Sequence, residues 1–368
     1  MIKVLYLFAN IGFLHELPKS GGQTSARRVM AGLKENGFSV IPIRRHRAEM
    51  EGKWKHLLEI TVFAVIDLLK IVLKLLLKKR KNAAFLHLTY AGPLVPYELL
   101  ITLVVRFMGY KSITYLKGGQ VLDYYAQGSI FHKWMFKKNM DLQAKVFFEG
   151  MESLELVRKI SQSPLAYFPN YVSDDLIPIS FPEKPVDNLN ICYFGRISPG
   201  KNIHIIIGAF EELCKKYNNV HLTIIGGPAR CKQYVEKIDQ MISESNYVDR
   251  ITRVGLSSYS FIAEILKSQH IFLFPSMERC EGHSNSLNEA MSYGLVPIVS
   301  RYHFNSSIVG CEECVVDDFE IHHYAERIET LWNNGLIEQL GMKMWKRIKQ
   351  NYSYSVVNLK LQNEFEKL

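Results

Sequence analysis

No stretch of the 368 residues is low in complexity or rich in proline and glycine together, and charged residues are 22% against 48% apolar, so a disordered chain is excluded. Cysteine is sparse, six in all, which excludes a disulfide scaffold and fits a reducing cytoplasm. The one close pair, Cys311 and Cys314, lacks a second pair or a histidine at zinc-ligand spacing, so it reads as ordinary thiols. Met1-Ile2-Lys3-Val4 runs straight into a strand-like segment without the layout of a secretory signal. Helix-turn-helix, zinc-finger and RNA-recognition patterns are all missing, so no nucleic acid is expected as a partner.

What is present points to two α/β domains, since the length exceeds one ordinary domain. Net charge is +9, unevenly spread: residues 1–185 hold 26 Lys/Arg against 15 Asp/Glu, and residues 186–368 hold 19 against 21. A basic first half fits an anionic partner such as lipid headgroups or a lipid pyrophosphate. It opens with an apolar run from Ile2 to Ala9, a loop with Gly21-Gly22, a helical pattern from Thr24 to Asn36 and a further strand pattern. Strand patterns at 85–89, 112–116 and 145–148 continue the alternation, which implies a parallel sheet covered by helices.

Residues 57–77 are long enough to span a bilayer, yet contain Glu59, Asp67, Lys70 and Lys74. On a helix these four, with Lys78 and Lys81, occupy an arc of roughly 100°, opposite a broad apolar face. With the basic run 78–81 behind it, the segment 57–81 is expected to lie in the cytoplasmic membrane surface. Packing of the apolar face on the sheet is the competing expectation.

The prolines of 181–185 suit a hinge, after which strand and helix patterns alternate again to Ser300. In such sheets ligands bind beyond the carboxyl ends of the strands. The first of those loops reads Gly195-Arg196-Ile197-Ser198-Pro199-Gly200-Lys201-Asn202 and enters a helix. Arg196 and Lys201 can hold a diphosphate there, backed by helix N–H groups, although a solvated basic turn would look the same in isolation. A second loop, after 271–274, contains Glu281 and is followed on the next helix by Glu289. Ionised carboxylates only accept hydrogen bonds, so the pair suits sugar and ribose hydroxyls, with the N–H groups of Gly282, His283 and Ser284 between them facing a phosphate.

These motifs resemble the retaining glycosyltransferases of family 4. Glu281 to Glu289 matches that family's E-x7-E signature, and Gly195, Arg196 and Lys201 its diphosphate clamp. Gly226-Gly227-Pro228 is similar to its turn after the second strand, Arg253-Val254-Gly255 to its base-contacting segment, and Gly21-Gly22 to its N-domain glycine loop. Phe168-Pro169-Asn170-Tyr171-Val172 resembles its strand exit before the hinge. Two departures stand out: Lys117, before Gly118-Gly119, replaces a usual histidine, and His283 stands where an aromatic or small residue is common.

The resemblance implies a GT-B fold, two Rossmann-like doubly wound domains facing across a cleft. Residues 1–183 would form the acceptor-side domain, with a terminal helix about 350–368 packing back on it, and residues 184–349 the donor domain. It implies transfer with retention from a nucleoside diphosphate sugar to a saccharide hydroxyl, the acceptor carried on a polyprenyl diphosphate, at the inner face of the plasma membrane. Arg196, Lys201 and Glu281 would be catalytic, and Gly22, Gly195, Gly227, Arg253, Val254, Gly282, His283, Ser284 and Glu289 would bind donor. Lys117, Gly118, Asp123 and His87 are the acceptor-side candidates. No Asp-x-Asp triplet occurs, so neither cofactor nor metal is expected, the two cations taking the metal's part. The competing readings are a nucleotide-sugar 2-epimerase of the same architecture and a non-catalytic nucleotide- or lipid-binding relative.

Overall fold

The structure is a computed structural model that describes residues 2–16, 21–46, 53–78, 80, 82–227 and 231–368. Pro228, the opening of the helix expected from Ala229, and Lys79 and Lys81 of the basic run lie outside the described residues. The chain divides into two compact units, Met1–Pro169 with Asn358–Leu368, and Asn170–Val357.

In the first unit β1 (Val4–Ala9), β2 (Ser39–Arg44), β3 (Ala83–Thr89), β4 (Lys111–Leu116), β5 (Lys145–Phe148) and β6 (Leu165–Tyr167) form one parallel sheet in the order β2-β1-β3-β4-β5-β6. It is connected through α1 (Gly21–Glu35), α2 (Lys53–Leu77), α3 (Val95–Phe107), α4 (Gln120–Gln127), α5 (Ile130–Asp141) and α6 (Met151–Arg158). The inner strands β1, β3, β4 and β5 are buried over most of their length, as sheets covered on both faces require. The last residues of the chain complete this unit: Asn358 bonds Asn36 at 2.8 Å, and Phe365 packs against Phe38 and Phe147.

The second unit repeats the plan with β7 (Leu189–Phe194), β8 (Val220–Ile225), β9 (Ile251–Val254), β10 (Ile271–Phe274), β11 (Val296–Ser300) and β12 (Val315–Val316), in the order β12-β11-β10-β7-β8-β9. Its helices are α7 (Ile203–Cys214), α8 (Lys232–Ser243), α9 (Tyr259–Lys267), α10 (Asn285–Ser292), α11 (Asn305–Val309), α12 (Ile321–Asn333) and α13 (Ile337–Arg347), and α14 (Tyr354–Glu366) ends the chain. The unit begins at Asn170, ahead of the 181–185 prolines, because the incoming segment is bonded to its interior. Val172 accepts from Tyr354 N and donates to Tyr352 O, each at 2.9 Å, and Phe181 packs against Trp345.

Three features of the first unit depart from their expected placement. The charged arc of α2 turns to solvent only in part, at Lys70 and Lys78. Its inner members turn toward the β2 side, where Asp67 is buried, accepting from His46 N at 2.9 Å and pairing with His46 Nδ1 at 2.5 Å, while Lys74 Nζ donates to Pro42 O at 2.7 Å. Ile71 and Leu75 enter the core beside Tyr6, Phe8 and Phe85, and a separate apolar stripe of α2 faces outward. His87, an acceptor-side candidate, sits in the middle of β3 opposite Phe8 and is 1% exposed, so it is a core residue. Lys117 is equally interior. Its ammonium is paired with Glu149 and donates to Ser25 Oγ at 2.7 Å and to Tyr115 Oη at 3.2 Å. Burial pulls its pKa below the ordinary lysine value while the Glu149 carboxylate works the other way.

Replacing Asp67 with Ala should cost about 2 kcal/mol, the scale of losing hydrogen bonds to a buried charged group, in denaturant unfolding; an exposed carboxylate would cost almost nothing. Burial, and secondarily Arg45, push the His87 pKa from 6.5 to about 3. In the unfolded chain this imidazole gains its proton below about pH 6.5 and in the folded chain only near 3, so its contribution to stability is complete above 6.5 and is lost as pH falls toward 3. Between pH 6 and 4 the stability of His87→Leu should therefore fall less steeply than that of the wild type, by up to about 1.4 kcal/mol per pH unit.

Candidate functional site

The strand order of the second unit reverses at β7, which has β8 on one side and β10 on the other. That is the switch point at which the loops leaving two neighbouring parallel strands part and open a crevice. The loop after β7 carries Gly195 to Asn202, and the loop after β10 carries Pro275 to Ser284. Residues 80 apart in sequence are thereby brought together.

Four contacts join the two loops. Met277 N donates to Gly200 O at 2.8 Å, Asn202 Nδ2 to Pro275 O at 2.9 Å, and Ser198 Oγ to Glu278 Oε2 at 3.0 Å. Lys201 Nζ pairs with Glu281 Oε2, buried on the lysine side and partly open on the glutamate side, and lies 4.5 Å from the centre of the Phe274 ring. Asn202 takes the left-handed conformation (φ 53°), which turns the chain sharply into α7. Arg196 is exposed on the same loop and lies close enough to Cys280 to lower its thiol pKa against the stronger effect of burial. Arg196, Lys201 and Arg279 thus share one loop pair with Glu278 and Glu281.

The glycines here are required by backbone proximity. Gly226 has φ 141°, and a Cβ on it would stand 1.9 Å from Gly195 O, so the loops after β7 and β8 can approach only without that side chain. A Cβ on Gly227 would meet the side chain of Leu256, which is 86% exposed. Arg253 braces this corner, donating to Gly226 O at 2.9 Å and to Val254 O at 2.6 Å and pairing with Asp239 at 3.1 Å. Its side chain therefore holds the Gly226 turn, with Val254 half-buried at the strand end beside it.

At the entrance to α10, Gly282 is half-buried and Ser284 caps the helix, its Oγ accepting from Leu287 N. His283 turns inward, 2% exposed: its ring meets Asn288 Oδ1 at 2.9 Å and the edge of Tyr352, and its carbonyl accepts from Asn170 Nδ2 at 2.6 Å. Asn288 Nδ2 in turn donates to Asn170 O at 3.1 Å. The unusual histidine is thus a strut that fixes the Glu281-to-Glu289 segment, and Glu289 stands half-buried on α10. Ser198, Asn202, Glu278 and the Asn170–His283–Asn288 bracket are functional neighbours that spacing along the chain does not reveal. The motif around Asn170 is visible locally, but nothing local signals its partners.

In the first unit, Gly22 lies in the opening turn of α1, beyond the carboxyl end of β1. Gly118 has φ 80° and donates its N–H to Glu149 Oε1 at 2.5 Å, and Asp123 is half-buried in the first turn of α4. Lys117 acts on this loop through Glu149, which it charge-balances and which in turn holds Gly118.

Residues 179–351 match the family model described as glycosyl transferases group 1. Among curated proteins, one component of the phosphatidylinositol N-acetylglucosaminyltransferase of Arabidopsis thaliana is 22% identical over 265 residues, covering 71% of this chain and 54% of that protein. The capsular polysaccharide biosynthesis glycosyltransferase CapM of Staphylococcus aureus is 26% identical over 178 residues, 46% of this chain and 44% of that protein. The chain therefore spans about half the length of the curated relatives it matches. Sucrose-phosphate synthase from Thermosynechococcus elongatus superposes with a TM-score of 0.77 at 15% identity, covering 99% of this chain and 98% of that one. Anabaena Alr3699/HepE, solved in complex with UDP, does so with 0.72 at 12% identity over all of both chains. With its two parallel sheets and the crevice at β7 and β10, the chain has the GT-B fold, and its residues 179–351 resemble the glycosyl transferases group 1.

Proposed function

We propose that the protein transfers a sugar, with retention, from a nucleoside diphosphate sugar to a hydroxyl of a saccharide carried on a polyprenyl diphosphate. The observation that carries this reading is the Lys201–Glu281 pair at the switch point, with Arg196 exposed on the same loop. A buried ammonium needs a counter-charge, and in the unliganded protein Glu281 supplies it. An incoming diphosphate offers Lys201 a better partner, and its binding releases Glu281 to accept from hydroxyls of the sugar attached to it. The exchange keeps Lys201 paired with an anion throughout and leaves the Glu281 carboxylate hydrogen-bonded.

The negative charge that grows on the departing diphosphate is then met by Lys201, Arg196 and the amino end of α10, donors set in place before the reaction. Gly195, Gly226 and Gly227 keep side chains away from the phosphates, Val254 and the exposed Leu256 border the base, and Glu289 takes the ribose. With two cations so placed, the reaction has no need of a divalent metal. On the acceptor side, Gly118 and Asp123 serve as contacts, and Lys117 keeps the Gly118 loop in position. The capsular relative and the phosphatidylinositol-modifying relative support an acceptor presented at a membrane. So does the outward apolar stripe of α2 within 57–81. The site of action is then the cytoplasmic membrane surface, although no helix among the described residues is long and apolar enough to cross a membrane.

Screening UDP- and GDP-sugars by thermal stabilisation should identify a donor, since a ligand of the folded state raises the melting temperature. With that donor, Lys201→Ala and Arg196→Ala should each lower kcat by about a hundredfold or more while changing KM far less, because the cations act on charge that develops in the transition state. Equal losses in affinity and turnover would place them in ground-state binding instead. Activity should survive a chelator. Conversion of the donor to an epimer with no acceptor present would replace this reading by an epimerase.

A further inference from the structure

The outer surface of the first unit is apolar over more than one helix. On α2, Leu58, Val62, Val65, Leu69, Leu73 and Leu76 are all exposed and recur every three or four residues. They form one stripe along a 25-residue helix, about 37 Å long. It is not the face on which α2 packs, because Ile71 and Leu75 occupy the core and Asp67 is bonded inward. The same outward apolarity appears on α3 at Leu100, Leu103 and Phe107, the last 93% exposed, and on α5 at Ile130, Phe131 and Trp134.

These helices are neighbours in one layer. α2 and α3 share the core over β1 and β3. α3 is tied to α5 by Thr102 Oγ1 donating to Asn139 Oδ1 at 2.7 Å and Arg106 Nη1 donating to Leu142 O at 2.8 Å. Right-handed crossovers that advance in one direction along the sheet put all three on the same side of it. Cations rim this layer: Lys55, Lys78, Arg106, Lys137 and Lys138 are exposed. Of the carboxylates on the three helices, Asp67 and Glu98 are buried, Asp141 is paired with Lys137, and Glu59 is half-buried.

We propose that this three-helix layer is the surface on which the protein lies in an anionic lipid bilayer, its apolar side chains reaching the acyl boundary and its cationic rim meeting the headgroups. The charge pattern selects this occupant over a second copy of the chain, since pairing two such faces would bring like-charged rims together, whereas anionic headgroups neutralise them. Trp54 near the start of α2 and Trp134 on α5 suit the headgroup level, where aromatic rings with a polar edge reside. The inference rests on the membrane reading above and extends it from one amphipathic segment to three helices.

The test is flotation of the full-length protein with vesicles of phosphatidylcholine alone or mixed equally with phosphatidylglycerol, alongside the variants Leu69→Ser/Leu73→Ser, Leu103→Ser/Phe107→Ser and Phe131→Ser/Trp134→Ser. All six side chains are exposed, and unchanged thermal unfolding confirms that the variants fold. The wild type should bind the anionic vesicles and scarcely the neutral ones. Each double variant, including those on α3 and α5, should weaken binding by about tenfold or more, the scale of withdrawing one large apolar side chain from lipid. If only the α2 variant loses binding, the layer is overturned while the single-helix membrane reading stands. If the wild type binds neither vesicle, that reading itself fails. A concentration-dependent dimer in light scattering, abolished by the same substitutions, would assign the face to self-association and overturn the proposal.

Discussion

A lysine ammonium held almost out of water must have an opposite charge beside it, and for Lys201 that charge stands 80 residues further along, on Glu281. The pair can form only if the loops after β7 and β10 leave adjacent strands and turn toward one another, which the strand order of the second unit provides. Around it, apart from the Ser198 hydroxyl on the Glu278 carboxylate, the remaining contacts are backbone-directed and neutral: Met277 to Gly200, Asn202 to Pro275, and the bare approach of Gly226 to Gly195. They set distances, and the ion pair sets which groups the crevice offers to a ligand. In the proposed function, an anionic ligand takes over one half of an interaction the protein already maintains.

The first unit handles charge in the opposite sense. Lys117 with Glu149, Arg45 near Glu98, and Asp67 with His46 are drawn into the interior, while leucine, valine, phenylalanine and tryptophan are turned outward on α2, α3 and α5. Buried polar groups are costly unless bonded, and Lys117, Asp67 and one oxygen of Glu98, which accepts from Tyr90 N, have their partners, so the interior remains specific even though it is not uniformly apolar. The outward apolarity is consequently not a deficit of core packing. It is surface left over after the core has been closed.

The two units thus face different chemistries with the same architecture. One presents a charged crevice suited to a water-soluble anion, and the other an apolar layer rimmed by cations. The proposed transfer from a soluble donor to a lipid-borne acceptor would draw on both properties, which reside in two compact units whose sheets are built alike.

Periodicity and turn chemistry determined most of the elements directly. The runs at 189–194, 220–225, 251–254, 271–274 and 296–300 are strands as read; those at 271–274 and 296–300 are continuous runs buried on both faces, whereas the outer 220–225 and 251–254 carry polar residues between the apolar ones. Short elements such as β6, β12 and α11 carried too few residues to show a period. Arg196, Lys201, Glu281 and Glu289 were legible as candidates because spacing along loops and helix starts is local information. The tertiary structure alone decided that Lys201 meets Glu281, that His283 and Asn170 brace the α10 entrance, that His87 and Lys117 lie inside, and that Asp67 and Lys74 of α2 are bonded on the β2 side. The reason is the same in each case: a helical or strand period tells which side chains share a face, but only the neighbouring element tells whether that face meets protein or solvent.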